Sequence, residues 1–179
     1  MGFEMSMWQI NMSRMEQFLI SEGACEEFLE TQFPDPDAEE EDAGRQRTAK
    51  YSVDPEDEGI YMGKTWHLLH YLITGTEEGE EFPLAYAVMV GHPVEGLGGE
   101  FCWLTPEELK DVARALDNLS KEDLRKRSNK DSMSKADIYK YPKGLTKKQL
   151  EEVMVYFNKL KEYYKDAAKK GNAMLRLIS

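Results

Sequence analysis

The stretch from Lys64 to Thr74, KTWHLLHYLIT, constrains the fold more than any other part of the chain. At helical spacing Trp66, Leu69, His70 and Ile73 share one stripe and Leu68 and Leu72 lie beside it, so most of the circumference is apolar or aromatic. A helix of that kind must be covered on most sides, and Gly75 supplies its natural stop. The chain therefore has to build layers around it. With 179 residues, 41% of them hydrophobic, it carries enough apolar material for one domain spanning residues 1–179.

The pattern on either side predicts strands alternating with helices. Phe3, Met5 and Met7 fall on one side of an alternating segment to which Trp8 and Ile10 add the other, which reads as a strand covered on both faces. Ser13 and Glu16 have capping-box spacing ahead of a helix through Met15, Phe18 and Leu19, and a second short helix is expected from Ala24 to Thr31. Phe33 to Gly44 holds two prolines, six acids and no base, so an acidic surface loop at about 34–44 is expected, one that can be shortened at little cost. Residues 45–63 show no regular pattern, and 83–90 fit helix and strand alike. Gly91–Gly99 reads as loop and Glu100–Leu104 as a strand.

Thr105-Pro106-Glu107-Glu108 is a strong helix start, followed by Leu109, Val112, Ala113, Leu116 and Leu119 at inward spacing. Ser120–Met133 reads as a short helix plus loop. Thr146 and Gln149 then open the longest helix, which carries Leu150, Val153, Met154, Phe157, Leu160, Tyr164, Ala167 and Ala168 on one face as far as Gly171. Ala173–Ile178 reads as a final strand with Arg176 its only charge. This order predicts an α+β (or three-layer α/β) domain with helices packed around a small mixed β-sheet. Met15, Phe18, Trp66, Leu69, Ile73, Leu109, Val112, Leu116, Val153, Phe157 and Leu160 are expected in one contiguous core.

Charge is distributed unevenly. Residues 1–120 hold 26 acids against 7 bases, and residues 121–179 hold 8 acids against 16 bases. The net charge of −11 argues against nucleic acid as a partner, because neutralising phosphates requires a basic face. The basic third is no exception, since Lys147, Lys148, Lys159, Lys161, Lys165 and Lys169 fall opposite the apolar stripe of the last helix, where they make a solvated surface. No apolar run reaches the roughly 20 residues that cross a bilayer, and Glu4, Arg14 and Glu16 interrupt the place of a secretory signal, so no membrane association is expected. Cys25 and Cys102 lack metal or disulfide spacing, and a reducing cytoplasm is the expected location.

No catalytic constellation stands out. Neither cysteine has a basic neighbourhood in sequence, and no GxSxG elbow occurs. Gly96-Leu97-Gly98-Gly99 precedes a strand, whereas phosphate loops follow one and open a helix. Glu77, Glu78, Glu80 and Glu81 sit in a polar loop that does not raise a carboxyl pKa, and solubility is their default role. His67 and His70 lie three apart on the helix, with His92 a conceivable third ligand, but no HExxH glutamate accompanies them and no metal or other cofactor is expected. His70 stands better as an oriented polar group, flanked by Trp66 and Thr74 at i−4 and i+4. Lys64, Trp66, His67, His70, Thr74 and Tyr141 are the candidate ligand-binding residues.

The Lys64–Gly75 segment resembles the signature of the YfbM-like family, small bacterial proteins classed as a domain of unknown function. Pro83-Leu84 with Ala87-Val88, Leu104–Glu108, Tyr141-Pro142 and Tyr163–Ala168 follow in the family's order, so the resemblance spans nearly the whole chain. Where the family often has a tryptophan after the Tyr-Pro pair, this chain has Lys143-Gly144. The resemblance implies helices around a small mixed sheet and no established activity.

Two functional readings follow. One is a non-catalytic protein whose acidic surface engages a basic partner protein, as toxin-neutralising inhibitors do, with opposite potentials steering the encounter. The other is a small-molecule-binding or enzymatic domain with a cleft around Trp66, His70 and Thr74, completed by Tyr141. The first is preferred at this level because no catalytic constellation supports chemistry.

Overall fold

The first and last strands of the chain pair with each other at the middle of its sheet. The computed structural model describes residues 3–21, 23–25, 27–28, 59–95, 101–141 and 145–179. Strand β1 is Met5–Ile10, β2 Gly59–Gly63, β3 His92–Pro93, β4 Phe101–Leu104 and β5 Ala173–Ile178. The helices are α1 Met12–Ile20, α2 Trp66–Thr74, α3 Pro106–Asn118, α4 Lys121–Arg127, α5 Lys130–Met133 and α6 Lys147–Lys170, with a 3-10 turn at Ala85–Ala87. Residues 23–25 and 27–28 are also helical; they overlap the second short helix expected from Ala24 to Thr31, with Gly23 just ahead of it. The strand order is β2-β1-β5-β4-β3. The class is α+β as expected, and every pairing among the described strands is antiparallel rather than mixed.

Because side chains alternate across a strand, this sheet separates two cores, where the sequence pattern had suggested one. Met5, Met7 and Met174 face a layer built from α2, α3 and α6, which holds Leu69, Ile73, Leu109, Val112, Leu116, Val153, Phe157 and Leu160. Trp8, Ile10, Leu175 and Leu177 face the other way, onto Met15 and Phe18 of α1 and Phe28. Met15 and Phe18 are therefore buried as expected but in a second cluster.

Local chemistry explains most boundaries. Thr105, Ser120 and Thr146 each make a full capping box at the start of α3, α4 and α6. Helix α1 begins earlier than expected, because Asn11 rather than Ser13 holds extended backbone and accepts the Arg14 N–H at 2.9 Å. Gly75 and Gly171 end α2 and α6 at positive φ, 90° and 70°, where a Cβ would be strained.

Two strands fall in segments read as irregular or loop. Strand β2 is an edge strand between glycines, with only Ile60 and Met62 turned inward, and β3 is two residues paired with Cys102 and Trp103. The acidic segment 34–44 and Gly96–Gly99 lie outside the described residues.

Candidate functional site

Helix α2 is as enclosed as its sequence requires: seven of its nine residues, Trp66 and Leu68–Ile73, are buried. Its C-terminal end is fixed from several directions. Arg127 Nη1 donates to the carbonyls of Leu72, at 3.0 Å, and Ile73, satisfying groups that a helix end leaves open. The Thr74 hydroxyl lies 2.9 Å from the His70 carbonyl and 2.8 Å from that of Thr76, and accepts the Thr76 N–H at 3.2 Å. The chain then turns through Thr76–Glu81 into Phe82-Pro83-Leu84 and borders a half-open surface cavity of about 390 Å³ lined by Thr74, Thr76, Gly79, Glu81, Phe82, Pro83 and Leu84.

Of the residues singled out in the sequence, Thr74 lines this cavity and His70 lies one turn behind it, close to the Gly79 backbone. The others are engaged elsewhere. Trp66 donates its indole N–H to the Phe3 carbonyl and stacks between His67 and Tyr139, at 5.0 and 6.2 Å. His67 Nδ1 accepts the Tyr139 N–H at 3.0 Å and its Nε2 lies 3.0 Å from the Glu77 carbonyl, so both ring nitrogens tie backbone segments together. Lys64 pairs with Glu4 at the surface, 3.4 Å away. Tyr141 packs half-buried against the α2-side core. His92 meets Glu108 at 2.7 Å, and no group of three or more His, Cys, Asp or Glu among the described residues could hold a metal ion.

His70 is fully buried, and among the described residues neither ring nitrogen has a partner in full hydrogen-bond geometry, although the Gly79 backbone lies close enough to favour a ring N–H. Burial is the main reason its imidazole is pushed down to about 4. The His67 ring and the Arg176 guanidinium act in the same direction, against an opposing pull from the Gly79 backbone. His70 is thus neutral at pH 7, with one N–H donor and one acceptor nitrogen and the Gly79 backbone as the neighbour that favours its N–H.

The residue that sequence reading passed over is Arg176. It occupies the centre of β5, directly opposite Met7 on β1 and Cys102 on β4, and is 2% exposed. Its Nη2 donates to the Val90 carbonyl, while Nε and Nη1 have no partner. Gly91 lets it lie there: a Cβ on that residue would stand 2.6 Å from Nη2. A guanidinium does not shed its proton to escape burial, so this charge is held in the core with one hydrogen bond. Each buried donor left unsatisfied costs about 1–3 kcal/mol, and more when charged.

The other buried polar side chains among the described residues are satisfied. Gln9 N–H donates to Tyr163 Oη at 2.8 Å, Gln9 Nε2 donates to Asp166 at 3.0 Å, and Asn172 Nδ2 donates to Gln9 Oε1 at 3.4 Å. The Tyr164 hydroxyl, raised by burial to about 12, donates toward the carbonyls of Ala87 at 3.0 Å and Tyr86 at 3.3 Å. His70 and Arg176 are the exceptions. Arg176 gave little sign in the sequence, because one charge in AMLRLI does not say whether the strand is central or which neighbours face it. Likewise Cys102 has no basic neighbour along the chain and acquires one across the sheet.

Fold and site together define a class: α+β domains with a five-stranded antiparallel sheet, here holding a buried Arg bonded through Nη2 alone, a buried His, and a surface cavity at the end of α2. The chain belongs to the family described as a domain of unknown function (DUF1877), which matches residues 1–177. It is similar in fold to the crystal structure of YfbM, a protein of unknown function from Escherichia coli, with a TM-score of 0.67 over 98% of this chain and 99% of that one at 21% identity. The resemblance carried by Lys64–Gly75 and the motifs after it is therefore real. No protein of curated function matches the chain.

Proposed function

We propose that this chain is a small-molecule-binding domain whose site is the cavity at the C-terminal end of α2. The observation that carries the reading is His70: a fully buried imidazole with no side-chain hydrogen-bond partner among the described residues, next to the Gly79 wall of a cavity of about 390 Å³. Ligand sites combine a mainly apolar lining with a few polar groups in fixed positions. Phe82, Pro83 and Leu84 supply the first here, and Thr74, Thr76 and Glu81 the second, with His70 one turn behind Thr74. The test is to purify the protein from its host, release retained small molecules by denaturation and identify them by mass spectrometry, for the wild type and for Leu84→Trp, which fills the cavity. A compound retained by the wild type and absent from Leu84→Trp supports the reading; identical extracts from both overturn it.

A second reading, association with a basic partner protein, draws on the 26 acids against 7 bases in residues 1–120 and on the exposed Glu78, Glu80 and Glu81, the last of which lines the cavity. Such binding weakens steeply with salt, because exposed charges beyond about 8 Å are screened at physiological ionic strength. Salt-insensitive capture of any partner removes it.

A further inference from the structure

Among the described residues that line the cavity, Glu81 carries the ionisable side chain and Phe82 the aromatic ring, and these two kinds of group set the charge of what the cavity can hold. The Glu81 side chain is exposed, and no described cation pairs with it. Phe82 follows it directly in the chain and is 45% exposed. Its ring meets Tyr86 edge to face, with centroids 5.1 Å apart and planes at 90°, so Tyr86 covers at most one face of Phe82. On the opposite wall the hydroxyls of Thr74 and Thr76 converge on Gly79, where a Cβ would stand 3.3 Å from the first oxygen and 2.5 Å from the second. Glycine keeps that wall open, and both hydroxyls bring acceptor lone pairs to it. No described Lys, Arg or His lines the cavity, and Arg127 at the end of α2 spends its Nη1 on the carbonyls of Leu72 and Ile73.

We infer that the ligand of this cavity is a small organic cation, an amine or quaternary ammonium compound, whose charged end lies against the Glu81 carboxylate and the open face of Phe82. This inference rests on the cavity reading above and adds the ligand's charge to it. A carboxylate attracts the charge directly, and the face of an aromatic ring carries the negative end of its quadrupole. An anion would meet the same carboxylate with no base in the lining to offset it. The competing account makes Glu81 a solubilising surface charge and leaves a neutral ligand to Phe82, Pro83 and Leu84; it predicts no preference for positive charge.

The test titrates the whole chain with choline, with methylammonium, and with the uncharged isostere of choline in which carbon replaces the ammonium nitrogen. Sodium chloride holds the ionic strength constant. The backbone amide resonances of Thr76 and Gly79 are followed in the wild type, Glu81→Gln, Phe82→Leu and Leu84→Trp. The comparison of choline with its isostere uses the wild type alone, so it does not depend on whether any variant folds.

The expected result is a saturable shift of both amides with at least one of the two cations, and markedly weaker binding of the isostere. Tighter binding of choline names a quaternary ammonium ligand, and tighter binding of methylammonium a primary amine. Glu81→Gln and Phe82→Leu should each weaken the preferred cation about threefold and together about tenfold, as a half-exposed ion pair and cation–π contact do. Isostere binding as tight as that of choline and methylammonium, silence toward both cations, affinity undiminished in Glu81→Gln, or shifts that persist in Leu84→Trp overturns the inference. A retained host compound without a positive charge overturns this step and leaves the cavity reading standing, whereas identical extracts from wild type and Leu84→Trp overturn both.

Discussion

Gln9 and Asn172 show how this fold treats a polar side chain that it buries for structure: each is tied to a named partner across the interface of β1 and α6. His70 receives no such partner, and its titration should register that. Folding lowers its pKa from 6.5 to about 4, so as pH falls the unfolded chain takes up the proton first. The stability it contributes is complete above pH 6.5, is lost progressively between 6.5 and about 4, and changes no further below. The loss amounts to about 3 kcal/mol in all, at roughly 1.4 kcal/mol per unit. Urea unfolding of the wild type against His70→Leu over that range should show the wild type losing stability relative to the variant toward acid; parallel curves would mean that His70 keeps its ordinary pKa. Using the difference cancels carboxylates such as Glu108 and Asp166, whose pKa values are also lowered.

At the level of elements, the longest helix and the most buried one make separate demands. Phe157 is 1% exposed in the middle of α6, and truncating it to Ala should cost about 3–5 kcal/mol in denaturant unfolding. An unchanged midpoint would remove α6 from the core. Arg127 of α4 closes the end of α2, and Arg127→Ala should cost roughly 1–3 kcal/mol and speed amide exchange at Gly75 and Thr76. Exchange unaltered there would show that Gly75 alone fixes the helix end.

These helices were legible in the sequence because their signals are local: a cap, an apolar stripe and a terminal glycine agree with one another. The edge strands were not. Gly59–Gly63 is too short for its alternation to stand out, and His92–Pro93 exists only because β4 lies beside it. The site divides in the same way. His70 and Thr74 could be selected from helical spacing, whereas Arg176 becomes conspicuous only when β1 and β4 flank it and Val90 takes one of its nitrogens.

For the whole molecule, the sheet's separation of two cores has a measurable consequence. Phe18→Ala and Phe157→Ala lie in different clusters, so their costs should add within about 0.5 kcal/mol, and strong coupling in a double-mutant cycle would mean that the layers communicate. On this reading the interior holds a charge and an imidazole short of hydrogen-bond partners for function and not for stability. Unfolding free energies of wild type and of His70→Leu/Arg176→Met, both freed of ligand and compared at pH 7 in chloride buffer, test that most directly. The account predicts a double variant at least as stable as the wild type, since apolar groups of similar volume replace uncompensated polar ones. A loss of roughly 3 kcal/mol or more would contradict it and make the pair part of the scaffold.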